Sequence, residues 1–396
     1  LIRCWIGERE GVFIMAGMTH RERVVKALNH EAPDRVPIDY GVAATANIHL
    51  DAYSRLIKYL GSDEETQDAV DPYERRLLMA APSEEMQIRF QSDMRELHIG
   101  APEIVPEERL GPNAFKDEWG VKWEKPEDGH FINVTGPFQE GEPTLADLEA
   151  YRWPVPRDPA RLRGVKEEAI RLRDETDYAI ILNLHDAVVA GCQRLRGFGE
   201  WMEDLVMNPA FSEGLMERVL SVRAGIPEYV LEEARDYVDV VLFPDDLGFQ
   251  DRPYMRPSMY TEKVKPYHRQ LVEAIKKNTS AKVLMHSDGS IYKLLPDTID
   301  IGVDAINPVQ HSAKDMESSR LKAEFGRDLS FHGGVDNKQV LPWGTPEDVR
   351  REVKDRIREL GSDGGYVLAS VHNIQSEVPA ENIVAMFDAA IEYGEY

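Results

Sequence analysis

The stretch AKVLMHSDGSIYKLLPDTIDIGVDAINP, residues 281–308, decides how this chain is read. Val283, Leu284 and Met285 form a short unbroken apolar run, the pattern of a strand buried on both faces. Residues 290–300 then read as a helix, and a second apolar run closes at Asn307 and Pro308. Strand, helix and strand at this spacing predict parallel pairing through a right-handed crossover.

The same alternation extends outward from this unit. Strands are expected at 178–184, 238–243, 281–287, 303–308, 329–335 and 365–370. Helices are expected over 162–174, 190–206, 210–235, 258–277, 290–300, 314–324, 346–360 and 380–392. Near the start, Thr19 and Glu22 make a capping-box pattern for a helix running to about Asn29, and Val36 to Tyr40 reads as a first strand that carries Asp39. Between 61 and 160 the pattern is mixed, with acidic helices, then KDEWGVKWE and FINVTGPF as hairpin strands, and this segment reads as an insertion. No GxGxxG or P-loop glycine pattern follows any strand, which argues against a nucleotide-binding Rossmann fold. The expected fold is α/β: a single (β/α)8 TIM barrel over 19–396, with an N-terminal helical extension and the inserted hairpin segment. The apolar part of residues 1–18 is too short, and the stretch before it too acidic, for a secretory signal; helical patterning begins only at Thr19, so these residues are expected to be an extension or a mis-placed start, with Met15 or Met18 as initiator.

Composition narrows the function classes. The formal net charge of −24, with no clustered Lys/Arg to reverse it locally, disfavours nucleic acid and anionic lipid as partners. No apolar run approaches the roughly 20 residues that cross a bilayer. The two cysteines, Cys4 and Cys192, form no CxxC or paired framework, so a cytoplasmic location is expected and thiolate zinc fingers are excluded.

In a barrel of this kind the chemistry gathers at the C-terminal ends of the strands, and there the chain is polar throughout. Asp39, Asp246, His185 and His332 are candidate catalytic groups; Tyr40, Asn183, Asp245, Asn307 and Asp336 are candidate substrate contacts. His286 and Asp288, at i and i+2, point to one side and could share an ion with His372. Plainer readings stay open for several of them. Asp288 could cap the helix that starts near Ser290, His372 could be a packed histidine, and neighbouring Asp245 and Asp246 should face opposite ways, one toward the mouth and one holding the loop. Phe249 and Trp343, like Tyr40, could flank a ring or simply pack.

RERVVKALNHEAPDRVPIDYG, DVVLFPDDLG, KVLMHSDGSIYKLLPDTIDIGVDAINPVQ, LSFHGGVDNKQVLPWGTPEDV and VHNIQSEVPAENI together resemble the uroporphyrinogen decarboxylase superfamily, in particular its cobalamin-dependent methyltransferase branch. The resemblance implies one (β/α)8 barrel. Decarboxylases of the superfamily carry an arginine-containing FMRQAGR-like segment after the first strand, where this chain reads IDYGVAAT; the resemblance therefore disfavours decarboxylation of a polycarboxylate. The methyltransferases bind zinc through His-x-Cys and a later Cys. In this chain those places fall on His286-Ser287-Asp288 and, seven residues before Pro379, on His372, implying a His, Asp, His ligand set for Zn(2+). Replacing thiolates by imidazole and carboxylate leaves a harder, more Lewis-acidic ion, suited to an oxygen donor. The implied activity is O-demethylation: a methyl group moves from a methoxylated, aromatic compound to the cob(I)alamin of a partner corrinoid protein. The alternatives are a methylamine, methylthiol or betaine donor, uroporphyrinogen decarboxylation, or a non-catalytic barrel that binds the corrinoid protein.

Overall fold

The computed structural model describes residues 17–396 except 70 and 128; most of the expected extension, residues 1–16 with Met15, lies outside the described residues. The chain opens with the predicted helix His20–Leu28, whose capping box is formed: Thr19 Oγ1 accepts the Glu22 amide at 3.1 Å and Glu22 Oε2 accepts the Thr19 amide at 2.9 Å.

The framework is a curled parallel sheet of seven strands: β1 (Met94–Glu96), then, beyond a separate hairpin sheet, β6 (Ala179–Asn183), β7 (Val240–Pro244), β8 (Lys282–His286), β9 (Ala305–Asn307), β10 (Ser330–Val335) and β11 (Tyr366–Ser370), hydrogen-bonded in that order. The six strands expected from residue 178 onward all form. The expected first strand does not form as a regular element. Residues 36–40 instead lie between the two sheet edges: Ile38 bridges Leu368 in parallel, the Asp39 amide donates to the Leu368 carbonyl at 2.9 Å, and the Asp93 amide donates to the Ile38 carbonyl at 2.8 Å. Pro37 has no N–H to give a ladder, which leaves a single bridge.

The 61–160 segment is also more than an insertion, because it supplies β1. Three residues between charged neighbours carry no legible strand pattern. The rest of the segment holds the antiparallel sheet β2 (Glu108–Gly111), β3 (Ala114–Lys116), β4 (Lys122–Glu124) and β5 (Ile132–Thr135), within the two stretches read as hairpin strands and just before them. Asp117 pins its central turn, accepting the Trp119 and Val121 amides and, on its other oxygen, the Trp123 indole N–H at 2.8 Å. The helix expected over 190–206 is broken in two at Gly197, which sits at φ 98°.

Strand parity sorts the core. Val283, Met285, Ile306, Phe331 and Leu368 face outward to the helices, while Leu284, Ala305, Val367, Ala369, Ile181, Val240 and Leu242 face inward and pack with Val24, Leu28 and Met94. That alternation also fixes which strand-end residues enter the mouth. Among the described residues no helix is long and apolar enough to cross a membrane.

Candidate active site at the strand ends

His286, Asn307 and His332 carry inward parity on three adjacent strands, and His286 is the register partner of Asn307. All three side chains are buried. They form one continuous chain of hydrogen bonds with Asp39: His286 Nδ1 to Asn307 Oδ1 at 2.5 Å, Asn307 Nδ2 to His332 Nδ1 at 2.7 Å, and His332 Nε2 to Asp39 Oδ2 at 2.9 Å. The Thr45 hydroxyl donates to Asn307 Oδ1 at 2.9 Å, and the Val42 amide donates to Asp39 Oδ1 at 3.1 Å. Gly333, at φ 91°, lets β10 come close, since a Cβ there would stand 3.0 Å from the Ser370 carbonyl and 3.3 Å from Asn307 Nδ2.

At the outer end of this chain His286 meets Asp288 and His372. One ligand atom from each lies within 4.8 Å of the others, and the two imidazole centroids are 5.3 Å apart. Asp288 is held by its backbone: its amide donates to Asp246 Oδ1 at 2.9 Å, and the next amide, of Gly289, donates to Gln310 Oε1 at 2.7 Å. Gly289 sits at φ 86° with its Cα against the Gly248 carbonyl, where a Cβ would come to 2.4 Å. The structure therefore gives Asp288 the inward role instead of a helix cap. Burial holds His372 below the ordinary imidazole value, with Asp288 opposing and His286 adding to the effect. A neutral imidazole is the form that binds metal. Its Nδ1 accepts the Asn373 amide at 2.8 Å, so ligation releases either that bond or the proton on Nε2.

Asp246, on the inward side of the loop after β7, stands 3.7 Å from His286 Nε2. Desolvation in the mouth raises its carboxyl above the usual range; His286 opposes, and the Asp288 charge adds to the rise. Its side chain is nonetheless 43% exposed, so it is a rim group open to a substrate.

Other expected site residues are spent elsewhere. Asp245, expected to contact substrate, has outward parity and is fully buried: its oxygens accept the Val189 and Ala190 amides at 2.8 and 2.6 Å and meet His268 Nε2 at 2.7 Å. It caps the helix Val188–Arg196 from below. Tyr40 is likewise outward, packed on Phe90 and Phe387 in the core, and touches no open space. Asn183 ties the loop after residue 40, donating to the Val42 carbonyl and accepting the Ala44 amide. Asp336 accepts the Lys338 and Gln339 amides as a turn cap. Asn307 has no polar atom left for a substrate, and His332 and Asp39 sit behind His286 instead of on open surface, so neither can hand a proton to a donor directly. His185 is displaced from this cluster: its Nε2 meets Asp71 Oδ2 at 2.8 Å, under the hairpin sheet. Phe249 is partly exposed at the rim with Phe198 and Tyr254, and Trp343 is exposed. Thr45 and the Gly248–Gly289 contact had no legible motif; a hydroxyl in the loop after the first strand was the only available signal for Thr45.

The comparisons with known proteins follow this geometry. The uroporphyrinogen decarboxylase (URO-D) family model matches residues 130–393, about two thirds of the chain. The chain belongs to the URO-D family. A uroporphyrinogen decarboxylase of Anaeromyxobacter dehalogenans is 25% identical over 63% of this chain and 69% of its own length. A methylated-thiol--coenzyme M methyltransferase of Methanosarcina mazei is 29% identical over 34% of this chain and 33% of its own. The solved structure of a methyltransferase from Methanosarcina mazei superposes with a TM-score of 0.67 at 17% identity, covering 95% of this chain and 99% of that one, which establishes a shared TIM-barrel-like fold. URO-D relatives thus include both a decarboxylase and a methyltransferase, and the choice between them rests on the residues at the mouth.

Proposed function

We propose that this chain is a zinc-dependent methyltransferase that moves a methyl group from a methoxylated, aromatic compound to the cob(I)alamin of a partner corrinoid protein. The convergence of His286, Asp288 and His372 carries the reading. Two imidazoles and a carboxylate are a donor set that fits a catalytic zinc. His286, Asp288 and His372 would hold the zinc, which would supply Lewis acidity toward the donor oxygen.

The chain's own residues supply the rest. His286 presents Nε2 to the mouth because Nδ1 is engaged by Asn307. Asp246, half-exposed beside His286 and with its carboxyl raised toward the protonated form, is the acid placed to donate to the oxygen released when the methyl–oxygen bond breaks. The loop of residues 41–47 offers no arginine to a polycarboxylate, and its polar groups are tied to Asn183, Asn307 and Asn373. That disfavours decarboxylation. A methylated thiol, the donor class named for the Methanosarcina relative, is the second reading; the absence of thiolates among the three ligands favours oxygen instead.

Metal analysis of the purified chain, with methyl transfer to cob(I)alamin assayed on methoxyaromatic, methylthiol and methylamine donors, tests this directly. One zinc per chain and turnover of the methoxyaromatic are expected. Full activity without metal, or decarboxylation of uroporphyrinogen in place of methyl transfer, overturns it.

A further inference from the structure

We propose that Asp39, His332 and Asn307 form a tautomer relay, in which the acceptor oxygens of Asp39 set which nitrogen of His286 faces the mouth. This rests on the reading of His286 as a metal ligand.

The argument is one of donors and acceptors. The Asp39 carboxylate takes the Val42 amide on Oδ1 and, at longer range, the Ala43 amide, so it is an acceptor throughout. His332 Nε2, 2.9 Å from Asp39 Oδ2, must therefore carry a proton. In a neutral ring Nδ1 is then a lone pair, and it can only accept, so the atom of Asn307 facing it at 2.7 Å is the amide nitrogen. That orientation turns Asn307 Oδ1 toward His286 and Thr45. The Thr45 hydroxyl donates to it at 2.9 Å, and His286 Nδ1, 2.5 Å away, must donate as well. The His286 proton is thus committed to Nδ1, and Nε2 is left as the lone pair that faces Asp246 and the mouth. Each link allows one answer once the previous one is set.

Burial makes the chain strict. Asp39, Asn307 and His332 are 1%, 0% and 2% exposed, so water cannot substitute for a missing donor at any link. Asn307 and Asp39 are positioning residues: neither reaches the mouth, yet both decide what His286 can offer there. A metal-ligating histidine held by such a partner is oriented and kept in one tautomer.

The relay can be read without activity. Nitrogen-15 NMR of the metal-free chain labelled at histidine is expected to show His286 protonated at Nδ1 and His332 at Nε2. Asp39→Asn lets an amide nitrogen face His332; the relay then runs in reverse, His286 becomes protonated at Nε2, and zinc affinity falls about 10- to 100-fold, although the ligands are untouched. Asp288→Asn is the contrast, weakening zinc while leaving the His286 tautomer unchanged. A folded Asp39→Asn protein with the wild-type His286 tautomer and zinc affinity within twofold of wild type overturns the relay and leaves the zinc reading standing. Should Asp39→Asn not fold, the wild-type spectrum decides, since His286 protonated at Nε2 overturns the relay by itself. Wild-type protein with the expected tautomers but no zinc affinity sinks the functional reading and leaves the relay intact.

Discussion

Two buried carboxylates at opposite ends of the sheet are used in opposite ways. Asp93, just ahead of β1 at the N-terminal face, takes Arg23 at 2.7 Å, Arg35 at 2.8 and 2.9 Å, His20 at 2.7 Å and the Ile38 amide at 2.7 Å. Asp39, at the C-terminal face, meets one imidazole and the backbone of its own loop. Guanidinium groups stay charged at any working pH, so the Arg23 and Arg35 contacts to Asp93 hold in one state and close the seam between residues 36–40 and β1. The Asp39 network is made of rings and an amide whose protons can be redistributed. One end of the molecule is built to stay fixed; the other is built to leave a lone pair on offer.

The largest effect tests the fixed end. Asp93→Ala leaves Arg35 without its counter-charge and Arg23 with Asp34 alone, and is expected to cost about 3–5 kcal/mol, read as a fall in melting temperature. Burial alone would raise the Asp93 carboxyl, but the His20 hydrogen bond and the Arg35 and Arg23 charges hold it below the ordinary value. Its stabilisation is therefore present above the unfolded value and lost as pH falls through the lower folded one, so the variant and wild type should converge in strong acid. A wild-type-like melt at pH 7 would break the contrast between the two ends.

The mouth answers in metal affinity instead of stability. His286→Ala is expected to lower zinc affinity by more than the roughly 10- to 100-fold that a change behind the ligands costs, with the melting temperature of the metal-free protein falling less than in Asp93→Ala. Gly289→Ala sharpens the point. Positive φ and the Gly248 carbonyl oppose a Cβ there, at a cost on the order of 1–2 kcal/mol, and the shift is transmitted to Asp288. Calorimetric zinc titration should show weaker binding although no ligand has changed.

Just past the C-terminal end of β1, His98 sits beside Glu96 at 3.3 Å. Burial opposes its charge, yet Glu96 and Asp71 push it up to about 9. The contribution is complete below about pH 6.5 and lost as pH rises through about 9. The ring is 41% exposed, so solvent screening keeps the effect under about 1 kcal/mol. His98→Gln should melt slightly lower than wild type at pH 6 and equally at pH 10.

The alternation of apolar runs was enough to place β6 through β11 and the strand-end residues on them, because strands buried on both faces announce themselves by composition. Parity then separated Asp246 from Asp245 in principle, although it could not name which faced in until the inward set of Val240 and Leu242 was known. Asp39, His332 and Asn307 were legible as polar strand-end residues but not as a chain behind His286, since a hydrogen-bonded relay is a relation among three segments separated by long stretches of sequence. β1 was illegible for a local reason: Met94–Glu96 is short, charged at two of three positions, and gains its place from the Asp93 network beside it.

The smallest expected effect falls one residue from Asp39. Tyr40 was a candidate substrate contact, yet parity turns it outward while Asp39 turns inward, so two neighbours belong to different layers. Its ring packs edge-on against Phe387 and tilted against Phe90, and its buried hydroxyl has no hydrogen-bond partner among the described residues. An unpaired buried hydroxyl costs free energy, and removing it leaves the ring contacts in place. Tyr40→Phe is therefore expected to stabilise the fold by up to about 1 kcal/mol, to leave zinc affinity and the His286 tautomer as in wild type, and to leave KM for the methyl donor unchanged. A raised KM would mean that the hydroxyl reaches substrate and that the layer boundary between residues 39 and 40 is drawn in the wrong place. A loss of stability would mean that the hydroxyl has a partner in solution, and the apolar packing behind the first segment would then owe part of its hold to a polar contact.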